Sequence, residues 1–238
     1  MKNQKFRGVS IIIPVYNEAA TLPVLLDAVE KIDLSSLGLQ KEIVVIDDAS
    51  NDGTEKFLSE YKSPAVKIVK HGKNQGKGAA IQTGLKLAEQ DIVLIQDADL
   101  EYNPEEYPIL LKPILMGAAD AVYGSRFVGS SPHRIMYFWH YMGNKLITFL
   151  TNIFANLNLT DIETGFKVFT REAINSIQLK EKRFGIEPEL TIKLGKKRWR
   201  FYEVGVSYFG RGYAEGKKIR WTDGISALIK IFKYGLFS

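Results

Sequence analysis

The sequence predicts an α/β fold: a mostly parallel sheet flanked by helices. Three observations carry this. Short, nearly all-apolar runs recur through the first half, as expected of strands covered on both faces. Between them lie stretches with apolar residues at helical spacing. Acidic residues and glycine turns close several of these runs, where ligands sit in open parallel sheets. The 238 residues are 45% hydrophobic and 25% charged, ordinary values for a chain with a sizeable core.

Val9-Ser10-Ile11-Ile12-Ile13-Pro14 reads as the first strand, and Leu22, Leu25, Leu26 and Val29 as the apolar face of the helix after it. Glu42 to Asp47 is the second strand, and Asn51-Asp52-Gly53-Thr54 turns into a short helix. Val66-Lys67-Ile68-Val69 is the third strand. A helix over Gly76 to Ala88 follows, with Ala80, Ile81, Leu85 and Ala88 on one side. Ile92 to Ile95 is the fourth strand, Glu105 to Leu115 a helix, and Ala119 to Gly124 the fifth strand. The pattern changes after Arg126, with a break at Ser130-Ser131-Pro132. From Ile135 to Leu157, Ile135, Phe138, Trp139, Met142, Leu146, Phe149, Leu150, Ile153 and Leu157 form a long apolar stripe. It predicts an amphipathic helix or helix pair with Gly143 as a candidate break. A second amphipathic stretch holds Trp221, Ile225, Leu228, Ile229 and Phe232, with Lys230 and Lys233 nearby. No repeat, low-complexity tract or linker divides the chain. Residues 1–238 therefore read as one domain, with halves at 1–126 and 127–238.

Cysteine is absent, which excludes disulfides and thiolate metal sites and fits a reducing compartment. There is no apolar signal-peptide core, and no apolar run reaches the ~18 residues of a membrane span. Residues 1–118 hold 13 Lys and Arg against 17 Asp and Glu, and residues 119–238 hold 19 against 10. An acidic half suits a cation and a basic half an anion, although solvated surface charge gives the same count. No basic element with stacking or groove contacts marks a nucleic-acid binder.

Asp97 and Asp99 close the fourth strand one residue apart and point the same way. Alone they would repel and raise each other's pKa. A divalent cation bridging them to a diphosphate removes that penalty, and Mg²⁺ or Mn²⁺ favours such oxygen ligands. Asp47 and Asp48 close the second strand, where carboxylates accept from a ribose or base. Asp52 reads as a helix cap and Asp48 as the ligand group. Gly72 to Gly78 is one residue short of a Walker loop, and Gly78 replaces the metal-binding Ser or Thr. Gly76 and Gly78 read as a tight turn, with Lys77 either facing a nucleotide or solvated. His71, His133 and His140 show no metal or triad spacing.

Taken in order, Pro14-Val15-Tyr16-Asn17-Glu18, Asp47-Asp48-Ala49-Ser50-Asn51-Asp52-Gly53-Thr54, Asn74-Gln75-Gly76-Lys77-Gly78, Asp97-Ala98-Asp99 and Gly124-Ser125-Arg126 resemble family 2 glycosyltransferases. Within these the chain is most similar to dolichyl- or polyprenyl-phosphate mannose or glucose synthases, over roughly Val9 to Phe169. The resemblance implies a glycosyltransferase A-type, Rossmann-like fold, a GDP- or UDP-hexose donor, and Mg²⁺ or Mn²⁺. It makes residues 1–126 the nucleotide-sugar and metal half and 127–238 the acceptor half. It places Pro14, Tyr16, Glu18, Asp47, Asp48, Lys77, Gln96 and Asp97 at the nucleotide-sugar. Asp97, Asp99 and Glu101 would hold the metal, with Glu101 where the synthases often carry Gln. Asp97, Asp99 and Arg126 are the implied catalytic group.

Asp161 to Lys167 resembles the synthases' Asp-x-x-Ser/Thr-Gly-Phe-Arg segment, with Lys replacing Arg, and Arg134 matches the arginine after their Gly-Ser-Arg loop. Arg126, Arg134, Lys167, Arg211 and Lys217 are the expected acceptor-phosphate groups. Tyr208 to Trp221, which also holds Lys218 and Arg220, suits either a mobile loop closing over phosphate or a basic surface loop. Glu187 or Glu189 would touch the sugar or a helix N-terminus.

The expected reaction is inverting, metal-dependent sugar transfer to a polyprenyl phosphate. A phosphate monoester, with a second pKa of about 6, needs positioning cations rather than a strong base. A saccharide or protein hydroxyl acceptor would instead need a base, for which Glu187 is the candidate. A non-catalytic nucleotide-binding or scaffold subunit is a further reading. No Gln-x-x-Arg-Trp segment marks a processive synthase. The apolar stripe and basic terminal helix suit a peripheral place on the cytoplasmic face of a membrane, a core, or a contact with another copy or a membrane subunit.

Overall fold

The computed structural model describes residues 6–129, 133–210 and 221–237, without the side chains of 221–223. The strands are β1 (Gly8–Val15), β2 (Gln40–Asp47), β3 (Val66–Lys70), β4 (Ile92–Ile95), β5 (Ala121–Ser125), β6 (Lys167–Thr170) and β7 (Phe201–Gly205). They form a single sheet in the order β3-β2-β1-β4-β6-β5-β7. Only β6 runs antiparallel to its neighbours. The helices are α1 (Leu22–Lys31), α2 (Thr54–Glu60), α3 (Lys77–Leu87), α4 (Tyr107–Leu115), α5 (Phe138–Ala155), α6 (Arg171–Asn175), α7 (Ile186–Lys196) and α8 (Trp221–Phe237). The first five strands fall where the apolar runs place them. β6 and β7 are additional.

Alternation along the strands builds two cores. Ile11 and Ile13 pack with Leu22 and Leu26 of α1 and Leu110 of α4. Ile12 packs on the other face with Ala80 and Ile81 of α3 and Leu190 of α7. This is the two-residue period of a strand covered on both sides. A third layer joins α5 and α8 to α7 through Ala155, Ile192, Ile231 and Tyr234, with Phe154 and Phe232 rings 5.6 Å apart. The Lys196 ammonium reaches the Tyr234 and Gly235 carbonyls of α8 at 3.0 and 2.7 Å. Cations at a helix C-terminus complement its dipole and free carbonyls.

Helix α5 runs unbroken through Gly143 as one helix rather than a pair. It leaves Phe138, Trp139, Met142, Leu146, Phe149 and Ile153 exposed, beside Ile225, Ile229 and Phe232 of α8. Among the described residues no helix is long and apolar enough to cross a membrane.

The chain builds outward from β1 to β2 and β3, then returns to place β4 on the other side of β1. The reversal opens a crevice beyond the C-terminal ends of β1 and β4, the usual ligand position in open α/β sheets. The β4–β6 register pairs Ile95 with Lys167, so the start of β6 also borders this crevice.

Candidate active site

Strand β4 ends at Ile95, and the next residue turns inward. Gln96 is fully buried, donating to the Asp97 carbonyl at 2.8 Å and accepting from the Tyr107 hydroxyl at 3.0 Å. It steadies the turn behind Asp97, its side chain buried where the resemblance implied a place at the nucleotide-sugar. Leu100 has φ 59°, which bends the segment sharply. Asp99 Oδ1 accepts from the Glu101 amide at 3.2 Å. Glu101 itself is drawn to the segment that follows the edge strand β7: its Oε2 accepts from Tyr208 at 3.0 Å and its carbonyl from the Phe209 amide at 2.9 Å. Asp97, Asp99 and Glu101 therefore do not form a ready three-carboxylate cage. Among the described residues no group of three or more Asp, Glu or His could hold a metal ion.

Asp97 is paired with Lys77, the first residue of α3. The ammonium lies 2.8 Å from Oδ1 and 3.0 Å from Oδ2, and 3.0 Å from Glu187 Oε1. Its side chain is 21% exposed, so the solvated alternative for Lys77 does not hold. Burial opposes its charge, yet Asp97 and Glu187 keep its pKa well above the usual lysine value. Lys77, Thr164, Gly165, Lys167 and Glu187 line one small pocket. The Lys167 ammonium is buried there, donates to the Thr164 carbonyl and lies 5.2 Å from the centre of the Tyr123 ring. Burial lowers its pKa. Lys167, expected among the acceptor-phosphate groups, thus lines the pocket of Lys77 and Glu187 and not the cavity of Arg126 and Arg134.

Two carboxylate oxygens in this neighbourhood, Glu187 Oε2 and Glu163 Oε1, are buried without a hydrogen-bond partner among the described residues. Burial first, and the Glu187 charge second, push Glu163 from 4.5 up to about 8, although Lys167, Lys77 and Arg126 pull the other way. Glu163 thus keeps its proton to higher pH than an ordinary carboxyl. Because its folded pKa is raised, the folded chain holds a proton the unfolded chain has lost. Stability should therefore fall as pH rises from about 5 to about 8. Glu163→Gln should flatten that slope, read as urea midpoints across the range. An unchanged slope would mean Glu163 is ionised throughout.

Asp48 is buried and committed. Its Oδ1 contacts His71 Nδ1 at 2.7 Å and accepts from the Gln75 amide at 2.9 Å, while Oδ2 accepts from the Gly76 amide at 2.6 Å. It pins the loop leading to Lys77, where the sequence suggested a direct ligand contact. His71, without a role in the sequence reading, carries this brace on to Thr83 at 2.9 Å. Asp47 Oδ1 accepts from the Ser50 amide at 2.9 Å, and its buried Oδ2 has no partner among the described residues. Asp52 accepts from Thr54 and, at 3.0 Å, from the Ala19 amide. That is a structural role, although Gly53 occupies the cap position itself. At the β1 end Pro14 is partly buried and Tyr16 exposed. Glu18 accepts from the Thr21 hydroxyl at 2.6 Å.

Arg126 follows β5 and is buried against Asp161, with Nε–Oδ2 2.6 Å and Nη2–Oδ1 2.7 Å. Its guanidinium also lies 5.1 Å from the centre of the Tyr208 ring. Burial penalises both charges, but Arg126 still holds the Asp161 carboxyl below its ordinary value. Arg134 donates to the Gly210 carbonyl at 2.7 Å. A cavity of about 380 Å³ is lined by Arg126, His133 and Arg134 together with Phe127, Ile135, Met136, Phe138 and Tyr141. Glu189 is fully buried, accepting from the Lys180 and Glu181 amides and pairing with Lys193 at 2.5 Å. It fastens a loop and is no sugar contact, which leaves Glu187 as the carboxylate facing the pocket. Arg211 and Lys217, with Lys218 and Arg220, lie outside the described residues.

The sheet order and the crevice are those of a Rossmann-like open α/β sheet with its ligand position where the strand order reverses. A profile of Glycosyl transferase family 2 matches residues 10–178, and the chain belongs to that family. It is 31% identical to the dolichol-phosphate mannosyltransferase of Pyrococcus furiosus, over 96% of this chain and 68% of that protein. It is 29% identical to the undecaprenyl-phosphate mannosyltransferase of Micrococcus luteus, over 94% and 93%. Its fold resembles a crystal structure of glucosyl-3-phosphoglycerate synthase from Mycobacterium tuberculosis in complex with Mn²⁺, UDP and phosphoglyceric acid. That likeness has a TM-score of 0.71 and 20% identity, over 98% of this chain and 80% of that one.

Proposed function

We propose that the protein transfers a hexose, with inversion, from a nucleoside-diphosphate sugar to a polyprenyl phosphate at a membrane surface. The observation carrying this is the second cavity. Two arginines stand at its wall, its remaining lining is largely aromatic and aliphatic, and two of its residues, Phe138 and Tyr141, belong to α5 with its exposed apolar stripe. Such a site receives an anion with hydrocarbon attached. A phosphate monoester, with a second pKa of about 6, is charged at neutral pH. It needs orientation rather than deprotonation. Glu187, the base a hydroxyl acceptor would require, is ion-paired with Lys77.

A divalent cation fits the donor set. Asp97 and Asp99 offer only oxygens, and hard dications are held by one or two carboxylates together with substrate phosphates and water. Asp97 and Asp99 would hold it. It would supply charge neutralisation for the departing diphosphate. The chain's own residues do the rest. Asp48 fixes the loop that presents Lys77, Tyr16 and Asp47 border the nucleotide end, and Arg134 orients the acceptor phosphate, with Arg126 held beside it by Asp161.

The test is nucleotide release from GDP- and UDP-hexoses, with and without a short polyprenyl phosphate, in Mg²⁺ or Mn²⁺ and in EDTA. Lipid-dependent, EDTA-sensitive release from one donor is expected. Release stimulated only by a soluble saccharide would identify a hydroxyl acceptor, and binding without release a non-catalytic subunit. Arg134→Ala should raise the KM for lipid phosphate by about tenfold or more, the scale of a charge-assisted phosphate contact, and leave donor KM nearly unchanged. Equal damage to both would remove Arg134 from the acceptor site. Phe149→Glu with Ile229→Glu should abolish sedimentation with anionic vesicles while preserving turnover on a detergent-dispersed acceptor. Retained sedimentation would shift the apolar face of α5 and α8 to another partner.

A further inference from the structure

We infer that Lys77 is a placeholder cation: in the nucleotide-free protein its ammonium occupies Asp97, and Glu187 takes it over when a divalent cation arrives with a diphosphate. The inference rests on the cation reading above and adds an order to it, in which metal binding is conditional on nucleotide.

The contact geometry is that of a substitute ion. The ammonium straddles both Asp97 oxygens, at 2.8 and 3.0 Å, and so blocks the carboxylate rather than touching one edge. Its third neighbour is Glu187 Oε1 at 3.0 Å. An ammonium has three donors and no acceptor, so these contacts use its capacity. The strong upward hold on its pKa keeps the charge in place at neutral pH. A metal entering the free protein would have to displace a full positive charge to gain one carboxylate, with only Asp99 added from the same turn.

The receiving site is already built. Glu187 Oε2 is buried and has no partner among the described residues, and an unsatisfied buried acceptor is costly. A small shift of the ammonium away from Asp97 would satisfy it. Lys77 and Glu187 also share a brace that excludes Asp97. A Cβ on Gly76 would lie 2.5 Å from the Lys182 carbonyl, and one on Gly78 2.4 Å from the Glu181 carbonyl. The start of α3 is therefore pressed onto the 181–183 loop, and the Ala79 amide donates to the Lys182 carbonyl at 3.0 Å. Glu189, on α7 with Glu187, accepts from the Lys180 and Glu181 amides. Asp97 hangs from β4 instead. The pair Lys77–Glu187 is thus held as a unit, while the Asp97 contact is the one free to exchange. A diphosphate supplies the missing oxygen ligands and a second anion for Lys77. Metal and nucleotide then strengthen each other's binding by the same factor, as linkage requires.

The experiment is Mn²⁺ titration by electron paramagnetic resonance, with no sugar transfer taking place, with and without UDP or GDP. Wild type should bind Mn²⁺ weakly alone and far more tightly with nucleotide. Lys77→Met should tighten Mn²⁺ binding to the nucleotide-free protein by about tenfold and shrink the nucleotide's effect, within the usual span of coupling energies. Lys77→Gln repeats the test with a polar chain. Glu187→Gln should weaken Mn²⁺ binding in the presence of nucleotide, because the displaced ammonium loses its receiver. A merely structural Lys77 would leave metal affinity unchanged or lower it. The inference is overturned if both Lys77 variants bind Mn²⁺ no more tightly than wild type while the wild-type nucleotide complex binds it well. If wild type binds no Mn²⁺ even with UDP and GDP, the cation reading itself falls.

Discussion

Asp99→Asn should cut turnover by at least about a hundredfold, the scale seen when a charge-stabilising group is lost from an active site, without unfolding the protein. The carboxylate has two separable tasks. On the structural side, its Oδ1 accepts from the Glu101 amide, a bond that an asparagine carbonyl also accepts. Its proposed chemical task is anionic, as the second carboxylate beside Asp97 in a site whose third member is absent. Glu101 is tied to Tyr208, so no other carboxylate of that segment stands ready to compensate. Asp97→Asn is a less clean comparison, because it also releases Lys77 from its ion pair. The check is turnover and Mn²⁺ affinity beside a circular-dichroism melt. Full activity with an unchanged melt would take Asp99 out of the cation site.

The parts of this site that the sequence displays are those set by local chain direction. An apolar run followed by Asp-Ala-Asp places carboxylates at a strand end wherever the strand falls in the sheet, and β1, β2 and β4 read that way because both their faces are covered. β6 has no such signal. It is four residues long, and its antiparallel slot between β4 and β5 is set by pairing with strands more than 40 residues away in sequence. β7 lies at the sheet edge and is half-exposed along most of its length, so its pattern is neither apolar nor alternating.

Partnerships are illegible for the same reason. Lys77, Asp97 and Glu187 are each visible as candidates, but their meeting depends on how α3 and α7 pack on one face of the sheet. Glu187 and Glu189 illustrate the limit most directly. Residues two apart on a helix point to different sides, and nothing local tells which side faces the pocket. Glu101 misleads in the opposite way. Its closeness in sequence to Asp97 and Asp99 suggests a shared task, and the φ of 59° at Leu100 turns it toward Tyr208 instead. Asp48 shows a residue whose motif is recognisable while its work is indirect: the carboxylate organises the backbone that delivers Lys77.

Asp161→Ala should be the most destabilising single change considered, at about 3–5 kcal/mol for breaking a buried ion pair, out of the roughly 5–15 kcal/mol that holds a typical domain. Asp161 is fully buried. It accepts from Arg126 Nε and Nη2, from the Arg126 amide at 3.3 Å, from Asn144 at 3.2 Å and from the Glu163 amide at 3.2 Å. Truncation strands the Arg126 charge and removes a joint between the Gly124-Ser125-Arg126 turn, α5 and the segment entering β6. The urea midpoint should drop steeply with little change in slope. The double variant Arg126→Met, Asp161→Leu distinguishes charge burial from lost packing. Replacing a buried pair by apolar groups is often near neutral, so it should recover much of the stability. It should remain inactive, because the arginine beside the acceptor cavity is gone. Recovery of stability with activity would reduce Arg126 to scaffolding and leave Arg134 as the acceptor's cation. Failure to recover would show that Asp161 acts chiefly through its bonds to the backbone amides and Asn144.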